Sequence, residues 1–192
     1  MKKLLFSSIL LSTVLFAEAQ VYVGVLGGID TESVSKPYNK NVSSPVAKLQ
    51  IGYGDIKDYS VQLGILYDKN SQNVFSTGVN DKEKYSMDLE LIKAFDLGWK
   101  LSPFLKAGFG AGYFNTDITY TDANGASSHK SSLNFSSYNA GAGIYYPLST
   151  HFNLEAGVTY KAINYEQVDS TSSDKGSTSK VIFSYAGIDY RF

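Results

Sequence analysis

The chain has 192 residues, a formal net charge of -1 and no cysteine. That length suits a single domain, and the near-neutral charge argues against a nucleic-acid or polybasic membrane-surface role. Without thiols there are no disulfides, thiolate metal sites or cysteine nucleophiles, and no lipidated cysteine of the bacterial lipoprotein kind. The composition holds 15 Tyr and 11 Phe but only 4 Pro, and tyrosine suits positions half in an apolar phase and half in a wet one.

Residues 1–19 read as a cleaved signal peptide. Lys2 and Lys3 give the positive start, 4–16 the apolar run, and Ala17-Glu18-Ala19 the small-x-small cleavage site. The run is too short for a spanning helix, which needs ~20 apolar residues. Gln20 is the expected mature N-terminus, with an uncleaved anchor as the alternative. No later segment approaches a transmembrane helix, so 20–192 is read as one exported domain, either soluble or built as a barrel.

That domain alternates with period two in eight stretches: 20–29, 44–54, 58–68, 83–95, 99–114, 132–147, 150–165 and 180–192. The second stretch sets Ala47, Leu49, Ile51 and Tyr53 against Lys48, Gln50, Gly52 and Gly54. The third sets Tyr59, Val61, Leu63, Ile65 and Tyr67 against Ser60, Gln62, Gly64, Leu66 and Asp68. In the fourth, Lys93 falls on the apolar face, where it either snorkels or is turned inward by a bulge. The seventh sets Phe152, Leu154, Ala156, Val158 and Tyr160 against Asn153, Glu155, Gly157, Thr159 and Lys161. The eighth sets Ile182, Ala186, Ile188, Tyr190 and Phe192 against Phe183, Tyr185, Gly187, Asp189 and Arg191.

Connectors alternate strictly. Those at 55–57, 96–98 and 148–150 are tight; those at 30–43, 69–82, 115–131 and 166–179 are long and polar. A soluble sandwich has no reason to sort its loops this way. A transmembrane barrel does, with short periplasmic turns on one rim and long extracellular loops on the other. Aromatic residues close each apolar face: Tyr53, Tyr59, Tyr67, Tyr85, Trp99, Tyr113, Tyr146, Phe152 and Tyr160 are the expected interfacial girdles. An open sheet edge in lipid would strand its backbone polar groups. The fold class is therefore an all-β, eight-stranded antiparallel up-and-down transmembrane barrel.

The last residues, "YAGIDYRF", carry a resemblance. Gly187, Tyr190 and Phe192 resemble the C-terminal signal that the barrel-assembly machinery reads in bacterial outer-membrane proteins. With the signal peptide and the eight strands, 20–192 is similar to the small OmpX/OmpA-type outer-membrane β-barrel family. The resemblance implies a Gram-negative outer-membrane location, a periplasmic N-terminus and extracellular long loops. It implies outer-membrane lipid and lipopolysaccharide as surroundings, with no cofactor.

The inward face should carry any activity. Lys48, Glu90, Lys106 and Glu155 are expected to form a mid-barrel charge network, with Asp189 and Arg191 nearer the rim and Asp88 and Lys161 as further inward charges. Gly108, Gly110, Gly112, Gly141 and Gly143 are expected to make one bare patch on the inner wall, in the outer half of the barrel. Bare backbone permits tight coiling and leaves room for inward bulk. The spacing G-x-G-x-G has no following helix and no βαβ setting, so it is not a dinucleotide loop.

The leading function is a structural or surface-interaction barrel with a filled lumen, presenting its long loops to an extracellular partner. The alternatives are a narrow porin-like channel, a small-molecule-binding barrel, or a lipid A-modifying enzyme built on His129 and Ser131. The last lacks an orienting acid between Asp122 and Glu155. His129 and His151 are expected at opposite rims, too far apart to share a metal ion. No catalytic, cofactor or metal residue is assigned.

Overall fold

The computed structural model describes residues 19–34, 41–70, 82–121, 127–166 and 178–192. The expected signal peptide, up to residue 18, lies outside the described residues. Eight strands form: β1 (Gln20–Val34), β2 (Asn41–Gly54), β3 (Tyr59–Asn70), β4 (Lys82–Ala94), β5 (Ser102–Thr121), β6 (Ser127–Pro147), β7 (Phe152–Tyr165) and β8 (Thr178–Arg191). They pair antiparallel in chain order, and β8 closes on β1. Closure gives every strand two partners, which a sheet in lipid requires.

The barrel is apolar outside and polar inside. Along β2 exposed and buried positions alternate without a break. Val25, Leu49 and Phe109 are more than half exposed on the outer wall, whereas Lys48 and Glu90 are each 1% exposed. Water would reverse that arrangement; a hydrocarbon surround favours it.

The start of β1, Phe192 and the three tight connections share one rim, called here the turn end. Gly54 (φ +146°) and Gly98 (φ +72°) hold left-handed backbone there, which favours glycine. In the first turn Lys57 N donates to Asp55 Oδ1 at 2.8 Å, and in the second Gly98 N donates to Asp96 Oδ1 at 2.9 Å. In the third, Ser149 Oγ accepts from Phe152 N at 3.1 Å. Phe192 N donates to Val21 O at 3.1 Å, locking the last residue to the first strand.

At the opposite rim, the loop end, the strands run further than the sequence suggested. Of the expected loops, 30–43 keeps strand through Val34 and from Asn41, and 115–131 is mostly the paired arms of β5 and β6. Residues 35–40, 71–81, 122–126 and 167–177 lie outside the described residues. β5 has 20 residues; at ~3.3 Å per residue and a tilt of ~40° that is about 50 Å, roughly twice the apolar band of an outer-membrane barrel. Beyond such a length the residues of β5 and β6 turn polar in sequence while the hydrogen-bond ladder continues. A register shift between Asn115 and Ile118 marks the transition.

Candidate functional site

Each inward charge is placed by the pleat, which sends every second side chain into the lumen. Lys48 of β2 and Lys106 of β5 converge on Glu90 of β4. Lys48 Nζ lies 2.6 Å from Glu90 Oε2, and Lys106 Nζ lies 3.2 Å from Glu90 Oε1. Gln62 Nε2 adds a hydrogen bond to Oε2 at 2.7 Å. Lys106 also sits 4.6 Å above the Tyr185 ring, a cation–π contact strengthened by burial.

Glu155, expected in the same network as Lys48, Glu90 and Lys106, forms no ion pair with either lysine. Gln50 Nε2 donates instead to Glu155 Oε2 at 2.7 Å and to Asp189 Oδ1 at 2.8 Å. The cause is register: Glu155 stands opposite Gly187 and Tyr145, next to the level of the Asn153–Asp189 pair. Its reach is therefore to Asp189 and the turn end. Arg191 lies nearer still to that rim, 5.7 Å from the Tyr22 ring.

A second network fills the loop half. Lys84 Nζ lies 2.9 Å from Glu32 Oε2 and 3.1 Å from Asp68 Oδ2. Glu32 Oε1 accepts from Tyr165 OH at 2.8 Å and Ser179 Oγ at 2.6 Å. Between the networks Lys161 pairs with Asp88 at 2.5 Å. Glu32 and Lys84 lie outside the set of inward charges expected from the sequence. The signal was present: Leu26, Gly28, Asp30 and Glu32 keep the inward phase of β1 after its outer face stops being apolar.

Apolar clusters lie toward both ends. Ile56, Ile92, Ala94, Phe104 and Tyr145 pack at the turn end. Val42, Phe114, Leu133, Phe135, Ile163, Tyr165 and Val181 pack at the loop end. A third cluster, Leu26, Val46, Leu66, Phe183 and Tyr185, packs between them.

The inward glycines do not form one bare patch. Gly108, Gly110 and Gly112 stand opposite Asn139, Ser137 and Phe135, while Gly141 and Gly143 stand opposite Lys106 and Phe104. The two glycine sets are staggered along the barrel, and larger side chains fill the space over them. A Cβ on Gly112 would lie 2.6 Å from Phe135 Cζ, and one on Gly143 2.4 Å from Phe104 Cζ. A Cβ on Gly110 would meet Asp88 Oδ1 at 2.1 Å. The missing side chains seat neighbouring rings and carboxylates.

Outside, Tyr67, Tyr85 and Tyr113 stand in register on β3, β4 and β5. Their successive ring centroids are 5.1 Å apart. Tyr67 and Tyr85 both donate to Glu83 at 3.0 Å. Tyr53, Tyr59, Tyr146 and Phe152 project outward toward the turn end, and Tyr160 projects outward from β7. Trp99, expected to begin a strand, lies in the second turn and is 69% exposed. Lys93 keeps its outward phase with no bulge between β4 and β5. It pairs with Asp58 and lies 4.1 Å from the Tyr59 ring centroid.

At the C-terminus Gly187 faces inward against β1, where a Cβ would meet Val25 O at 2.2 Å. Tyr190 and Phe192 face outward with ring centroids 5.1 Å apart. The β6 backbone carries His129 at the loop end, opposite Thr119; its side chain lies outside the described residues, and Ser131 is exposed. His151 is in the third turn, at the other end of the barrel.

Known proteins share this architecture. Neisserial surface protein A superposes with a TM-score of 0.65 at 20% identity, covering 91% of this chain and 99% of that one. The outer membrane protein OprG from Pseudomonas aeruginosa gives a TM-score of 0.56 at 16% identity, covering 91% and 97%. A major outer membrane protein from Thermus thermophilus gives 0.53 at 14% identity, covering 90% and 99%. These likenesses concern the fold. Comparison with curated protein sequences finds no match. The outer membrane protein beta-barrel domain matches residues 4–192, and the chain belongs to that family of bacterial outer-membrane barrels.

Proposed function

We propose that the protein is a plugged structural barrel of the outer membrane that presents its long hairpins to the outside. The observation carrying this reading is the lumen. Ion-paired side chains cross it, and apolar clusters lie toward both its ends. Eight strands enclose a space about filled by side chains, so the charges serve as internal packing rather than as a path. The β5–β6 hairpin supports a surface role, because its paired arms exceed what a bilayer needs.

In this reading the turn end, with the N-terminus, is periplasmic. The outward tyrosines and Trp99 meet lipid headgroups and, in the outer leaflet, lipopolysaccharide. Gly187, Tyr190 and Phe192 are presented to the barrel-assembly machinery during insertion. The hairpin tips meet an extracellular partner, and no residue is given a catalytic role.

Orientation has a direct test, because the chain contains no cysteine. Ser127→Cys at the loop end and Lys57→Cys at the turn end are labelled with a membrane-impermeant maleimide on intact cells. Ser127→Cys should label and Lys57→Cys should label only after the outer membrane is opened. The reverse pattern overturns the reading.

A further inference from the structure

At the turn end Arg191 lies against the Tyr22 ring but forms no ion pair. It is 9% exposed, and its Nε finds no acceptor. No carboxylate among the described residues comes within 4.0 Å of its guanidinium. Asp189, two residues earlier on the same inward face, is held by Gln50. Asp189 and Asp55 act on the guanidinium only from beyond ion-pair distance, which leaves its planar fork of donors free to match an oxyanion.

Arg191 lines a vestibule of about 430 Å³ that opens at the turn end, within the range of small-molecule sites. Asn153 lines the same space. It is 2% exposed, and its Nδ2 has no acceptor. Ser149 is on the rim, with its Oγ accepting from the His151 and Phe152 backbone N–H groups. Its hydroxyl proton therefore points away from both. Lys57 adds a positive charge and Asp55 a negative one. Ile56 belongs both to the vestibule and to the apolar cluster of the turn end.

We propose that this vestibule binds a small oxyanion, a carboxylate or phosphate group, on the Arg191 guanidinium, with Asn153 Nδ2 as the second donor. The site is independent of the surface role proposed for the hairpins, since it lies at the other end of the barrel.

The test is a side-chain NMR titration of ¹⁵N-labelled protein refolded in detergent. Sodium phosphate and sodium acetate are added in separate arms, with sodium chloride holding ionic strength constant. The Arg191 Nε–Hε and Asn153 amide resonances should shift together and saturate. The arm that saturates at lower concentration identifies phosphate or carboxylate as the better ligand. Arg191→Gln should abolish saturation. Asn153→Asp, which turns a donor into a repelling acceptor, should weaken binding about tenfold or more. Should Arg191→Gln fail to fold, Asn153→Asp decides alone, with its folding checked by gel mobility before and after boiling. Shifts that stay linear, that chloride reproduces, or that persist unchanged in Asn153→Asp overturn the proposal.

Discussion

Lys48 on β2 reaches Glu90 on β4 past Gly64 on the intervening β3. The ion pair closes at 2.6 Å, and a Cβ on Gly64 would lie 2.3 Å from Lys48 Cε. The glycine leaves the floor over which the lysine crosses, and the carboxylate fixes where it ends. The central contact of the plug thus depends on three strands rather than on one adjacent pair.

Glu90 is the shared counter-ion of two buried lysines, so its loss strands both. Glu90→Gln should lower unfolding stability in detergent by about 3–5 kcal/mol, the cost typical of breaking one side of a buried pair. Neutralising all three groups with Lys48→Met, Glu90→Leu and Lys106→Met should recover most of that loss. Urea titration of the refolded proteins reads both values. A single-variant cost below ~1 kcal/mol would show that the network does not hold the core.

Seats in the inner wall should tolerate no added atoms. Gly143→Ala, whose Cβ would meet Phe104 Cζ at 2.4 Å and Ala156 O at 2.5 Å, should destabilise by about 1–3 kcal/mol. Gly27→Ala is the control, since nothing lies within 4 Å of its Cβ position, and it should stay within ~0.5 kcal/mol of wild type. Equal effects would mean that glycine acts here through backbone freedom alone.

The alternation of side chains made most of the fold legible in the sequence, because one-sided burial in lipid writes a period of two into every membrane-crossing segment. It lost its power where the strands leave the membrane. Asp30 and Glu32 continue β1 without an apolar outer face to mark them, which concealed the Lys84 network. Periodicity also gives direction without register. Glu155 and the glycines of β6 point inward as their phase demands, yet their partners depend on the stagger between strands, which no single strand encodes.

The second turn contains a pH-dependent element. Gly98 N–H at 2.9 Å is the main group holding the Asp96 carboxyl below the usual range, with Lys57 Nζ at 3.2 Å adding to it. A depressed folded-state value favours the folded form above the unfolded carboxyl pKa of ~3.9. That contribution fades as pH falls through the folded value. Unfolding midpoints measured between about pH 2 and 6 should converge for wild type and Asp96→Asn at the acidic end and separate above it. A constant offset across the range would contradict the assignment.

Phe192 should matter more for insertion than for the finished barrel. Its side chain is 67% exposed and meets Tyr190 edge-on, while the anchoring bond to Val21 uses the backbone. Phe192→Ala should reduce the amount assembled in cells, yet refold in detergent with a stability change of about 1 kcal/mol or less. Parallel losses in both settings would assign Phe192 a structural role instead.

Ion conductance across a planar bilayer tests the plugged lumen most directly. Refolded wild-type protein should give no steady ion-sized steps, because paired charges and two apolar clusters fill the space that eight strands enclose. Reproducible open steps, abolished by unfolding and absent from a mock preparation, would contradict the account.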